Sequence, residues 1–214
     1  MKLDWYFDFI SPFAYLQHCQ FDRLPQLVEV NYKPILFAGL LNHWGNVGPA
    51  EIAPKRIFTY KYCYWLAKKN GIPFKMPPAH PFKSLSPLRL AIACDCEPHA
   101  IRIIFETIWK LGLDIESEEA VDYLESQLSI EKVSELVASQ RVKDKLIENT
   151  KQAAARNIFG VPTYSVAQGI SGYENFWGLD AQDMMLDFIA SPADFNDEQM
   201  MLIEVLPEGI QRNR

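Results

Sequence analysis

Few stretches of this sequence carry side chains that could do chemistry, and the first lies near its start. In YFDFISPFAYL, Tyr6 to Leu16, an aromatic run breaks at Ser11-Pro12. Serine is a favoured N-cap, and proline fits the first helical position, where its missing N–H costs nothing. A helix N-terminus also presents unpaired N–H groups and the positive end of the helix dipole, which stabilise an anion such as a thiolate. Ser11 is therefore either a plain cap or a hydroxyl donor to an anion, and spacing alone leaves both readings open. A second stretch is Gly160-Val161-Pro162-Thr163, where a proline entering a strand is a candidate for a cis peptide bond. Of the four cysteines, Cys19, Cys63, Cys94 and Cys96, only Cys94-Asp95-Cys96 forms a close pair. A zinc site needs a second Cys or His pair at ligand spacing, so no metal is expected. His80, held between prolines in PPAHPF, and His43 are the candidate proton carriers. Without a visible partner for either, a structural role is the expectation.

Those residues need elements to position them. Leu3–Ile10 alternates and is rich in aromatics, which predicts a strand. Ser11-Pro12 then opens a helix expected to run to about Leu24, where Pro25 stops it. Asn31–Phe37 reads as a second strand, and a helix between two strands implies a right-handed parallel βαβ unit. From about Pro54 to Arg156 the periodicity is helical. The expected helices are Pro54–Asn70, Pro87–Cys94, Pro98–Gly112, Ser117–Gln127, Ile130–Ser139 and Arg141–Asn157. Thr163-Tyr164-Ser165-Val166, a turn at Gly169, and ISGYENFWG outline a hairpin. Asp180 is expected to cap a helix over AQDMMLDFIA that ends at Ser191-Pro192. The tail, Asn196 to Arg214, has room for one more short helix. The order βαβ, helical block, ββα is that of an α/β, thioredoxin-like fold split by a large helical insertion. Residues 1–50 and 157–214 would form the thioredoxin-like domain and residues 51–156 the inserted helical domain.

With 214 residues, 49% hydrophobic and 22% charged, the chain has enough apolar material for a real core. A net charge of -6, with no basic run, argues against nucleic acid. No apolar run is long enough to span a bilayer, so no membrane association is expected. Asp4 and Asp8 interrupt what a signal peptide would keep apolar, so a cytoplasmic protein with reduced cysteines is expected.

Five segments, Phe7–Leu16, Gly45–Lys55, His80–Leu85, Phe159–Thr163 and Phe176–Asp180, follow one another across nearly the whole chain. Together they resemble the patterns FDFxSPYxYL, GNxxPxxxPxK, HPFxPL, GVPT and FWGxD of the 2-hydroxychromene-2-carboxylate isomerases. These are relatives of the kappa-class glutathione transferases in the DsbA-like branch of the thioredoxin superfamily. A dithiol oxidoreductase would carry Cys-Pro-x-Cys at the first corner, where this chain has Ser11, Pro12, Phe13 and Ala14. A two-thiol cycle needs an attacking sulfur, so any reactive sulfur must come from a ligand, and glutathione is the supplier the resemblance implies.

The resemblance implies roles as well. Ser11 would be the catalytic residue, its hydroxyl holding the glutathione sulfur as thiolate; a hydrogen bond to a charged group contributes roughly 1.5–3 kcal/mol. Val161 and Pro162 would meet the cysteinyl unit, and Leu179-Asp180 the γ-glutamyl end, with Asp180 accepting its ammonium. Asn46 and Lys55 would contact a carboxylate of glutathione or of the substrate. The implied reaction is a glutathione-dependent isomerisation of an aryl-conjugated 2-oxo acid by thiolate addition, bond rotation and elimination. The implied partners are a small aromatic or hydrophobic electrophile and a second copy of the chain. A kappa-like transferase or peroxidase, and a non-catalytic glutathione- or peptide-binding protein, are the alternatives. The chain departs from the family pattern at Phe13, at Ala53, at Ala181 where an arginine is usual, and at Tyr62 and Trp65. These changes bear on the second-substrate pocket more than on the glutathione site.

Overall fold

The computed structural model describes residues 1–169 and 172–209. The chain runs β1 (Lys2–Phe7), α1 (Pro12–His18), β2 (Glu29–Pro34) and α2 (Phe37–Trp44). There follow α3 (Ala53–Lys69), α4 (Leu85–Ala93), α5 (Pro98–Phe105), α6 (Glu118–Leu128), α7 (Val133–Ala138) and α8 (Gln140–Ala155). It closes with β3 (Thr163–Gln168), β4 (Gly172–Trp177), α9 (Gln182–Ala190) and α10 (Glu198–Glu204). The sheet has four strands in the order β2-β1-β3-β4, with β1 parallel to β2 and antiparallel to β3. The expected βαβ, helical insertion and ββα are all present. The hairpin tip at residues 170 and 171, and the last five positions of the tail, lie outside the described residues. Among the described residues no helix is long and apolar enough to cross a membrane.

Central strand β1 carries the core. Trp5 and Phe7 stack at 4.5 Å, Phe7 meets Phe9 edge-on at 5.2 Å, and Phe9 lies 4.6 Å from Phe105 of the insertion. One apolar cluster thus runs from the sheet through α1 and into α4–α6. Each large side chain buried there contributes about 1.5–3 kcal/mol relative to exposure. The two buried indoles are also satisfied: Trp5 donates to Gln17 Oε1 at 2.6 Å and Trp109 to the Phe9 carbonyl at 2.8 Å.

Local patterns misplace three features. Helix α1 ends at His18, not near Leu24, and a 3-10 turn follows at Phe21–Arg23. The bend returns Phe21 to the face of Trp5, 4.8 Å away, a contact that a continuing helix would forgo. The segment expected as one helix from Pro98 to Gly112 widens into a π turn at Glu106–Lys110, which carries Trp109 to Phe9. Helix α2 has no side-chain cap of its own. Its first N–H, from Phe37, donates instead to the carboxylate of Asp8, 29 residues upstream, at 2.9 Å.

Asp8 is 1% exposed. Its Oδ1 accepts the Ile10 N–H at 3.0 Å, and its Oδ2 accepts the Phe37 N–H and the Ser84 hydroxyl at 2.9 and 3.0 Å. Burial pushes its pKa from an ordinary 3.8 up to about 6, against the pull of these three donors. Between those two values the folded chain keeps a proton that the unfolded chain has released. The contribution of Asp8 to stability is therefore full below the unfolded value and is lost as pH rises through about 6. Urea melts should show the native chain losing about 2 kcal/mol relative to Asp8→Asn between about pH 4.5 and about pH 7. A stability difference that stays constant over that range would exclude Asp8 as the titrating group.

Candidate active site

Strand register sets where the candidate residues meet. Phe7 lies beside Pro34, Tyr6 opposite Thr163, and Thr163 opposite Trp177. The corner after β1, the loop after β2, the loop before β3 and the turn after β4 therefore all leave the same end of the sheet. Ser11, Val161-Pro162 and Gly178-Leu179-Asp180 sit in three of those four loops.

At the first corner Ser11 caps α1. It is extended, and its Oγ accepts the Ala14 N–H at 3.2 Å. Its own N–H donates to the Asp8 carbonyl at 3.0 Å. Among the described residues the Ser11 hydroxyl hydrogen and the Phe13 N–H find no protein acceptor. With α1 only seven residues long, these two donors matter more than the helix dipole. Ser11 itself is 8% exposed.

His80 braces this corner from below. Its Nε2 lies 2.7 Å from the Ile10 carbonyl, which can only accept, so Nε2 carries the proton. Its Nδ1 then accepts the Tyr60 hydroxyl at 2.6 Å. Burial lowers the His80 pKa and keeps the ring neutral, with the Ile10 contact opposing. Both ring nitrogens are engaged, so this histidine holds the peptide before Ser11 in place, as the structural expectation has it. His43 is exposed on α2 and packs edge-on against Trp44.

The loop before β3 has a cis Val161–Pro162 bond. Gly160 is required there, because a Cβ at that position would run into the Trp177 indole nitrogen. The Pro162 carbonyl accepts the Gly178 N–H at 2.9 Å, joining this loop to the next. The N–H and C=O of Val161 have no protein partner among the described residues, while its side chain packs with Tyr6, Ile35 and Leu40. A free peptide edge of this kind can pair with an extended ligand as a strand would.

Gln17 ties α1 to the third loop. It donates to the Gly178 carbonyl at 2.9 Å while accepting from Trp5. Gly178 has φ +105, and the Asp180 carboxylate folds back over it, 2.6 Å from where a Cβ would stand. Asp180 is the middle residue of a 3-10 turn, Leu179–Ala181, and does not cap α9. The helix begins two residues later at Gln182, whose buried side chain accepts the Tyr164 hydroxyl at 3.1 Å. That inward contact sets the helix start and leaves the Asp180 carboxylate exposed.

A cleft of about 700 Å³ opens beside these loops. Val161, Pro162, Leu179 and Asp180 line it together with Phe13 and Tyr62. Two cations, Arg23 and Lys69, and a further carboxylate, Asp183, line it as well. Ser11 is not a lining residue; it stands two positions before Phe13, which is. Asn46 and Lys55 lie outside the lining. Asn46 closes the end of α2, its N–H bonded to the Leu41 carbonyl and its Oδ1 accepting the Val47 N–H. Lys55 is exposed on the first turn of α3. Sequence reading missed Arg23, Lys69, Asp183 and Gln17. Only Gln17 left a signal, as an amide on the buried face of an apolar helix.

The arrangement offers a hydroxyl donor, a free peptide edge, and charges of both signs in one opening. It offers no thiolate. Cys19 sits at the far end of α1, and burial raises its thiol to about 11; Cys63 and Cys96 rise to about 12 and 11, and Cys94 rises as well. Among the described residues no group of three His, Cys, Asp or Glu side chains could hold a metal ion.

Known proteins share this plan. Glutathione s-transferase kappa 2 of Caenorhabditis elegans is 27% identical over 205 residues, covering 88% of this chain and 91% of its own length. The 2-hydroxychromene-2-carboxylate isomerase of Pseudomonas putida is 26% identical over 192 residues, covering 86% and 92%. A solved structure of a 2-hydroxychromene-2-carboxylate isomerase superposes with a TM-score of 0.76 at 24% identity, covering 92% of this chain and 100% of that one. The family model for the DSBA-like thioredoxin domain matches residues 2–190, from the first strand through α9. The chain therefore belongs to the DSBA-like thioredoxin domain family.

Proposed function

We propose that the protein is a glutathione-dependent isomerase of the 2-hydroxychromene-2-carboxylate isomerase type, acting on an aryl-conjugated 2-oxo acid. One observation carries the reading. A serine hydroxyl with an unengaged hydrogen caps α1 at the same sheet end as the free peptide edge of Val161. The names of its relatives, isomerases and kappa transferases, support it.

The residues present fit glutathione by their donor set. A tripeptide with one ammonium and two carboxylates matches a cleft that offers Asp180 and Asp183 beside Arg23 and Lys69. The chemistry glutathione supplies is a sulfur nucleophile that adds to a conjugated double bond and leaves once the bond has turned. Ser11 donates its O–H toward that sulfur and lowers the cost of the charged form, with the Phe13 N–H as a second donor. Val161 pairs its backbone with the cysteinyl unit, Pro162 and Leu179 pack beside it, and Asp180 accepts the ammonium. Arg23 and Lys69 serve the carboxylates, a role the family pattern would give to Asn46 and Lys55, which do not line the cleft. Phe13 and Tyr62 supply apolar surface for an aromatic substrate and exclude water from it.

A kappa-like transferase is the second reading. The 27% identity to a kappa transferase favours it, and its glutathione site would be the same.

Three measurements test the site and the reaction. Ser11→Ala should cut kcat/KM by about 10- to 100-fold, the loss expected for one hydrogen bond to a charged sulfur. Full activity together with undiminished glutathione affinity in that variant would remove Ser11 from the mechanism. Asp180→Asn should raise the KM for glutathione by about tenfold and leave kcat near native, because its contact is remote from the reacting bond. An unchanged KM would place the ammonium elsewhere. In a turnover assay the isomerase returns all of its glutathione, whereas accumulation of a glutathione conjugate would make the chain a transferase.

A further inference from the structure

Strand β2 is one edge of the sheet, and its register with β1 fixes which of its peptide groups are free. The Glu29 N–H donates to the Met1 carbonyl at 2.7 Å, and the Ile35 N–H to the Phe7 carbonyl at 3.0 Å. Hydrogen bonding alternates along a strand, so the odd-numbered residues of β2 bond to β1, and Val30, Tyr32 and Pro34 turn their peptide groups outward. Pro34 has no N–H, and its outward carbonyl accepts the Asn149 Nδ2 of α8 at 3.1 Å. Among the described residues the N–H and C=O of Tyr32 have no protein partner.

A second cleft, of about 660 Å³, lies against this edge. It is lined by Asn31, Tyr32 and Lys33 of β2, by Asn149 and its neighbours on α8, and by the turn after α4. It shares no lining residue with the cleft that holds Val161 and Asp180. Asn149 is 3% exposed, and its Oδ1 has no donor. The Pro34 carbonyl fixes which end of the amide is which: Nδ2 faces the carbonyl, and the acceptor is left over. A buried acceptor without a donor is costly, so it marks a place where a donor belongs.

We propose that this edge is a second binding site, which takes a short extended peptide as a fifth strand. The ligand backbone exchanges N–H and C=O with Tyr32, and a further N–H of the ligand reaches Asn149 Oδ1. Asn149 already imitates part of such a strand, because it donates to the Pro34 carbonyl as a neighbouring peptide would. Its amide therefore ends the open edge and sets the ligand's register. At about 3.3 Å per residue, about three ligand residues span Asn31 to Lys33. Lys33, Arg141 and Lys145 line the cleft alongside Asp95, Asp144 and Glu148, charges of both signs that suit the two free ends of a short peptide. With α8 and the turn after α4 walling the cleft, one strand fits and a second sheet does not. The site does not depend on what the cleft beside Val161 binds.

Amide hydrogen exchange of the full chain, read residue by residue by NMR with trialanine as the probe, tests this. Without trialanine the Tyr32 amide should exchange fast, although β1 protects Asn31 and Lys33 on either side of it. Saturating trialanine should slow exchange at Tyr32 by about tenfold or more. Trialanine with both amides N-methylated should not, because it has lost the donors that an added strand needs. Asn149→Leu should weaken trialanine binding by about 3- to 10-fold, the loss expected for one neutral hydrogen bond. If that variant does not fold, the N-methylated peptide still decides. Trialanine that leaves Tyr32 exchange unchanged, even while it shifts the Val161 loop, overturns the proposal. So does an N-methylated peptide that binds as tightly, or a folded Asn149→Leu variant with native affinity.

Discussion

A carboxylate with three donors and no cation sits at the C-terminal end of the central strand, and the rest of the molecule is assembled around it. Asp8 accepts one N–H from its own corner, one from the start of α2, and a hydroxyl from Ser84 in the insertion. Removing a charge from water is costly, and here hydrogen bonds offset the cost without a salt bridge. Each donor belongs to a different part of the chain. One buried group therefore fixes the angle of the Ser11 corner, the entry of the chain into α2, and the seating of the helical insertion on the sheet.

The same device recurs at shorter reach around the site. Gln17 links Trp5 to the Gly178 carbonyl, and His80 links Tyr60 to the Ile10 carbonyl. Each is a polar side chain, Gln17 buried and His80 half-buried, with both ends engaged, which rigidifies what it touches. Between them they hold two of the loops that border the cleft, while the aromatic core under β1 supplies the bulk of the stabilisation. Among the described residues the Ser11 hydroxyl hydrogen and the Val161 peptide edge have no protein partner, and both lie at the same end of the sheet.

Much of the framework is legible in the residues. Ser11-Pro12 reads as a cap and first turn, and Gly160-Val161-Pro162 as a proline-led entry into a strand, because both follow from backbone chemistry within a few residues. The alternation of β1 and the periodicity of α6 and α8 are likewise local. Where a distant partner intervened, the local reading slipped. Helix α1 stops early because Phe21 packs on Trp5. Helix α2 is missed because its cap is Asp8. Asp180 is taken for a cap because the contact of Gln182 with Tyr164, which sets the true start of α9, leaves no mark in sequence.

The sequence by itself determined the order βαβ, helical block, ββα and the cap at the Ser11 corner, where a hydroxyl and not a thiol stands. These are one-dimensional properties, written in residue type and short spacing. Tertiary structure alone decided which groups meet. Asp8 reaches Ser84 over 76 residues, His80 reaches Ile10 over 70, and Gln17 reaches Gly178 over 161. It also decided that Arg23 and Lys69 line the cleft while Asn46 and Lys55 do not. Such meetings are set by how the packed core places distant backbones side by side, and no pattern within a few residues of either partner records that.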